Sequence, residues 1–147
     1  IPNYYLSNIS NFSKKLIYYQ LIDKDNRKRN HNIRKMNNKL YYKHLKKIKT
    51  DQIHLFEIDD FNFQNFLDFP VLFNYREKLH LHLFKKGFDT KIVHYFDCSK
   101  LFNSKTKCSN SKLVEKKILC LPNHDKINKY YIQNLVRNIN LFYQKNI

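Results

Sequence analysis

Leu119-Cys120-Leu121-Pro122-Asn123-His124 is the stretch on which the fold turns. The apolar run ends at Leu121-Pro122, and proline neither donates to a sheet nor continues a helix, so the chain must pause there. Upstream, Ser111 opens a short helix that runs through Ile118. Downstream, Ile127 to Tyr143 repeats apolar residues at helical spacing: Ile132, Leu135, Val136, Ile139 and Phe142 make one face. Asn128 stands where an N-cap is wanted. The order predicts a strand or extended segment feeding a long final helix.

Working back, Asn74-Tyr75-Arg76-Glu77 has the pattern of a helix start. Asn74 can accept from a free backbone N–H while Glu77 bonds back. That helix would carry Leu79, Leu83 and Phe84 inward and stop at Gly87. Gly87 is the only glycine of the chain and sits where a left-handed residue closes a helix. Phe66 to Phe73 reads as a strand, with Pro70 at an edge or a position that makes no ladder bond. Lys91 to Phe96 is a short strand candidate, and Asp97 to Asn110 a polar loop. Thr50 to Asn65 has no clean period and is expected to cross the surface.

Two helices are expected near the start. Ser7 can cap the first, whose face is Ile9, Phe12, Leu16, Ile17 and Tyr19, extended by Leu21 and Ile22. Asp23 to Lys28 is polar enough to loosen or kink it. The second puts Ile33, Met36, Leu40 and Leu45 on one face. Its lysines and arginines read as a solvated face. Strands alternating with helices predict an α+β layer, a short sheet covered by helices and preceded by long linking helices.

The 147 residues suffice for one domain with a core. No apolar run approaches a membrane span and no signal-peptide pattern opens the chain. An Ile at the first position reads as a processed chain or a piece of a longer one. Three cysteines, Cys98, Cys108 and Cys120, without a C-x-x-C, argue against a disulfide framework and fit a reducing, cytoplasmic setting. Cys98, Cys108, His94 and His124 could in principle make a zinc site, but their spacing matches no compact zinc module and no metal is assigned. The net charge of +16 has two readings. One is a polyanion partner, with basic helices and interleaved Tyr and Phe binding RNA. The other is drift under an A/T-rich coding sequence, which loads Lys and Asn onto tolerant surfaces. Lysines spread over nearly every segment favour drift.

Several segments together resemble the C-terminal part of the DegT/DnrJ/EryC1/StrS family of pyridoxal-phosphate-dependent sugar aminotransferases. Asn3-Tyr4-Tyr5-Leu6-Ser7 is similar to the family's Gly-Tyr-Asn-Tyr-Arg-Leu-Ser segment. The following long helix contains Gln20-Leu21 and the basic Arg27 to Arg29. Phe69-Pro70-Val71, Arg76-Glu77-Lys78-Leu79 and Lys86-Gly87-Phe88-Asp89-Thr90 follow in the family's order. Asp97-Cys98-Ser99-Lys100-Leu101 with Cys108, and Leu121-Pro122 with the final helix, complete the series.

The resemblance implies the small C-terminal domain of a fold-type I aminotransferase. Residues 1–49 would be linking helices from an N-terminal cofactor domain, and residues 50–147 the small domain. The whole enzyme would be a cytoplasmic homodimer that moves an amino group, with glutamate the expected donor, onto a keto-sugar nucleotide. Pyridoxal phosphate would be held mainly by the N-terminal domain, which carries the Schiff-base lysine and its acidic partner. No lysine here lies in a segment like that motif, so no catalytic residue is nominated. Asn3 matches the asparagine that reaches the cofactor phosphate of the neighbouring subunit; a turn or cap beside Pro2 is its other reading. Tyr5 replaces the family's arginine and cannot supply its charge or fork. His94 and Tyr95 lie where the family approaches the sugar, or are strand residues with one polar edge at the surface. His80 and His82 are expected to face solvent, and His124 to sit in a loop.

Overall fold

The computed structural model describes residues 10–58, 60–61, 66–92 and 108–146. Two compact units are present, one up to Asn32 and one from Ile33 onward.

In the first unit, α1 spans Asn11–Ile22. Its cap is Ser10, whose Oγ accepts from the Ser13 N–H at 3.1 Å; Ser7, the cap read from the sequence, lies outside the described residues. Asp23 ends α1 and starts α2 (Lys24–Leu45). Its carboxylate accepts from the Asn26 backbone N–H and side chain, at 3.3 and 2.6 Å. The expected loosening is therefore one residue wide and capped. Phe12, Leu16, Ile17 and Tyr19, spaced like a core face, are exposed.

The second unit holds the core. Two-residue β1 (Ile53–His54), β2 (Asp68–Phe73) and β3 (Ile118–Pro122) form an antiparallel sheet in the order β1-β2-β3. Ile53 lies opposite Phe73, and Phe69, Pro70 and Val71 lie opposite Leu121, Cys120 and Leu119. The pleat sends alternate residues to opposite faces. Phe69, Val71, Phe73, Leu119 and Leu121 face the main core. Leu72, Ile118 and Cys120 face the other way, where Val114 packs on them. The sheet is therefore covered chiefly on one face and touched on the other by α4 (Ser109–Lys117). That helix starts two residues before Ser111.

Pro70 lies in the central strand, not at an edge. Cys120, its partner, spends both backbone groups on Lys91, each at 2.9 Å. The Pro70–Cys120 pair is thus a non-hydrogen-bonded one, and the missing N–H points to the side that short β1 does not reach. The expectation of a position without a ladder bond holds.

α3 spans Arg76–Lys85. Leu79 and Leu83 are buried as expected, but Phe84 is 68% exposed. The predicted Asn74–Glu77 capping box does not form. Asn74 gives its side-chain amide to Gln52 Oε1 at 2.8 Å, and Glu77 pairs with Arg76 instead. Tyr75 takes the cap position at φ 57° without a side-chain bond. At the other end Gly87 has φ 81°, donates to the Phe84 carbonyl, and Phe88 donates to that of Leu83. This 6→1 and 5→2 pair closes the helix on a residue that needs no Cβ.

The final helix, α5 (Lys129–Asn146), follows the reading closely. Asn128 Oδ1 accepts from the Tyr131 N–H at 2.8 Å, and Ile132, Leu135, Val136, Ile139 and Phe142 are buried. The inner face of α2 follows the reading at Leu45, which is buried, and at Leu40, which packs against the core, and departs from it elsewhere. Asn37, Asn38, Tyr41 and Leu45 are buried, while Met36 is 63% exposed.

Candidate functional site

The buried asparagines explain why the face of α2 is turned. Asn123 follows Pro122 at the end of β3. Its side-chain N–H group donates to Asn38 Oδ1 at 2.7 Å and to the Phe66 carbonyl at 2.8 Å, with the Arg34 carbonyl at 3.4 Å. Asn37 donates to the Ile127 carbonyl at 3.2 Å, and the Tyr41 hydroxyl to the Pro122 carbonyl at 2.8 Å. The turn from β3 into α5 is thus held by one face of α2. The donor side of the Asn123 amide is thus satisfied inside, while its buried Oδ1 has no hydrogen-bond partner among the described residues. Burial, with Tyr131 and Asp68 nearby, pushes the Tyr41 phenol up, so it stays a neutral donor. The sequence signal for this corner is the spacing 37, 41, 45, a helical face that reads as polar until its partners are known.

At the same end of the sheet, Lys91 Nζ lies 3.1 Å from Asp68 Oδ2. The backbone of Lys91 bridges to Cys120 on the outer edge of β3. Lys91 and Ile92 are the last described residues before the segment that carries His94 and Tyr95. Asn3, Tyr5, His94 and Tyr95 all lie outside the described residues, as does Cys98. Lys91 and Ile92 thus mark the sheet edge from which the chain enters the segment that carries His94 and Tyr95.

Cys120 is a free, buried thiol pushed up to about 11 by burial and by Asp68, against the pull of Lys91, which leaves it a weak nucleophile. Cys108 is free and exposed. The expectation that His80 and His82 face solvent is corrected. His80 Nδ1 shares a hydrogen bond with Thr90 Oγ1 at 2.7 Å, and His82 packs on the Phe142 ring at 5.5 Å. Burial, then Lys86 and Lys145, lowers the His82 pKa. His124 is in a turn, as read, and its Nδ1 accepts from the Lys126 N–H at 3.2 Å. Arg76 donates to the Glu115 carbonyl at 2.7 Å and so closes α4. Among the described residues no group of three or more His, Cys, Asp or Glu is placed to hold a metal. No described helix is long and apolar enough to cross a membrane.

Pyridoxal phosphate requires a lysine and a carboxylate held inside a site. Among the described residues the buried polar side chains are Asn37, Asn38, Thr90 and Asn123, none of them a lysine or a carboxylate. The described part of this chain does not by itself fit the cofactor.

Comparison with known proteins places the fold. The chain is similar to a DegT DnrJ EryC1 StrS aminotransferase from Brucella abortus, with 17% identity and a TM-score of 0.65 over 77% of this chain and 31% of that one. It is also similar to DesV of S. venezuelae, solved with a ketimine intermediate, with 15% identity and a TM-score of 0.67 over 88% of this chain and 35% of that one. A third is a GDP-4-keto-6-deoxymannose-3-dehydratase with a trapped PLP-glutamate geminal diamine, with 13% identity and a TM-score of 0.61 over 75% and 31%. No family model and no curated protein matches the sequence. At these identities the likeness is one of fold: the chain has the α+β fold of part of these enzymes and spans about a third of their length. The resemblance read from the sequence motifs and the fold thus point to the same group.

Proposed function

We propose that this chain is the small C-terminal domain, with its linking helices, of a pyridoxal-phosphate-dependent sugar aminotransferase. The observation that carries the reading is the agreement of two independent signals. The ordered motifs from Asn3 to Pro122 resemble that family, and the fold matches its solved members over 77% of the chain. The enzyme would be a cytoplasmic homodimer transferring an amino group from glutamate to a keto-sugar nucleotide. A preceding domain would hold the cofactor and the Schiff-base lysine. Asn3 would donate its amide to the cofactor phosphate of the neighbouring subunit, and His94 and Tyr95 would hydrogen-bond the sugar or its nucleotide from the segment that leaves the edge of β3. Tyr5 would offer a phenol where the family has a guanidinium, so substrate contact there would be weaker and uncharged. The exposed apolar side chains of α1 suit packing on such a preceding domain or a second subunit.

The test is an amino-transfer assay on the native protein with glutamate and a set of nucleotide-linked keto-sugars. Formation of 2-oxoglutarate with one of them supports the reading. The 147-residue chain alone is expected to give none. Turnover by this chain alone would overturn the assignment of the catalytic lysine to another domain.

A further inference from the structure

Two acid-free stretches of the sequence meet on one surface of the second unit. From Ile33 to Thr50 there are seven Lys or Arg, and from Lys126 to Ile147 four, with no Asp or Glu in either stretch. Between them, the end of α2 with the turn after it and the outer face of α5 form an open groove of about 750 Å³. His44, Lys47 and Lys49 line one wall, and Gln133, Arg137 and Asn140 the other. A smaller pocket of about 150 Å³, formed by Tyr130, Gln133, Asn134 and Arg137, continues the groove toward the start of α5. Tyr130 is 76% exposed at that end. From Tyr130 to Gln144 the track follows α5 for about 21 Å, at about 1.5 Å per residue.

The cations are spread along this track rather than converged on a point, and no carboxylate is among the described residues that line it. The field is felt locally. The pKa of His44 is lowered by its burial and then by Lys47, Lys43 and Lys129. An A/T-rich coding sequence raises lysine everywhere, but it does not by itself keep every carboxylate off two walls that meet.

We propose that this groove binds single-stranded nucleic acid, with phosphates on Lys47, Lys49 and Arg137 and a base stacked on Tyr130. Side-chain amides of Gln133 and Asn140 supply donors and acceptors to base edges or sugar hydroxyls. Such a groove combines the two elements of single-strand binding, cations that follow the backbone and an aromatic face that accepts any base. The site is independent of the aminotransferase reading and uses no residue assigned to it.

The experiment is fluorescence anisotropy of the 147-residue chain with a labelled oligouridine of about twelve nucleotides, between about 50 and about 200 mM salt. One triple variant, K47Q/K49Q/R137Q, is compared with another, K14Q/K15Q/K112Q, which removes the same charge elsewhere. All six positions are exposed, so both variants are expected to fold. The first should lose most of the affinity and flatten the log–log salt slope by about 2, at about 0.7 per phosphate contact. The second should keep most of the affinity. Y130A should weaken binding about fivefold or more. Equal loss from the two triple variants would overturn the site, since net charge alone would then bind the strand. An unchanged Y130A, or oligoglutamate binding as tightly as oligouridine, would overturn the nucleic-acid ligand.

Discussion

Asn123 ties the end of β3 to α2 and to the residues that precede β2. Its amide donates at 2.7 Å to Asn38 and at 2.8 Å to the Phe66 carbonyl, and the residue is 1% exposed. Asn123→Ala withdraws that donor from two oxygens at once. A net hydrogen bond is worth about 1 kcal/mol, and a buried acceptor left without its donor about 1–3 kcal/mol. The change also removes the buried Oδ1 that has no partner, which offsets part of that cost, so the expected loss is about 1–3 kcal/mol, a sizeable part of the roughly 5–15 kcal/mol that holds a domain together. Urea unfolding should show a lower midpoint with an unchanged slope. Asn123→Asp keeps the shape but turns a carboxylate toward three oxygens. The folded state would then favour the protonated acid, raising its pKa above the unfolded value of about 3.9. The folded state binds more protons in that window, so stability falls as pH rises through it. The variant should be closer to wild type at about pH 4 than at about pH 7. An Asn123→Ala chain within about 0.5 kcal/mol of wild type, the range of ordinary surface changes, would refute the assigned role of the corner.

Other consequences follow from the same geometry. Gly87→Ala meets nothing within 4 Å, so its expected cost of about 1–2 kcal/mol is purely conformational; Gly87→Asn should lose less in the same urea titration. Tyr41→Phe and Tyr143→Phe each remove one hydroxyl donor, to the Pro122 and Asn74 carbonyls, and each should cost about 1 kcal/mol in thermal or urea unfolding. The lowered pKa of His82 means that the unfolded chain takes up a proton which the folded chain resists. Its contribution is complete above the ordinary histidine value of 6.5 and is lost as pH falls below it. His82→Phe should therefore narrow the gap between urea midpoints measured at about pH 7.5 and about pH 5.5; an unchanged gap would remove His82 as its source.

Local rules made much of the second unit legible. Gly87, the Asn128 cap and the inner face of α5 follow from backbone sterics and helical spacing, which act over a few residues. The reading failed where a distant partner decides. Asn74 looked like a cap, but Gln52, 22 residues away in sequence, takes its amide. The face of α2 was read from Ile33, Met36, Leu40 and Leu45; Leu45 is inside, but the amides were missed because they count as polar. Asn37 and Asn38 are inside because Ile127 and Asn123 wait 90 and 85 residues along the chain. Two-residue β1 has no period to read and passed for a surface crossing. Of the site, the ordered motifs were visible in sequence. The structure adds the sheet edge from which the segment bearing His94 and Tyr95 departs, while those residues, Asn3 and Tyr5 lie outside the described part.

The most direct test of the aminotransferase reading is made on the native protein. It would be captured from its source with an antibody to α5, reduced with borohydride, and weighed intact and after digestion. The account predicts a mass well above 18.1 kDa and a cofactor-bearing lysine peptide from outside these 147 residues. A mass near 18.1 kDa with no such peptide would contradict it.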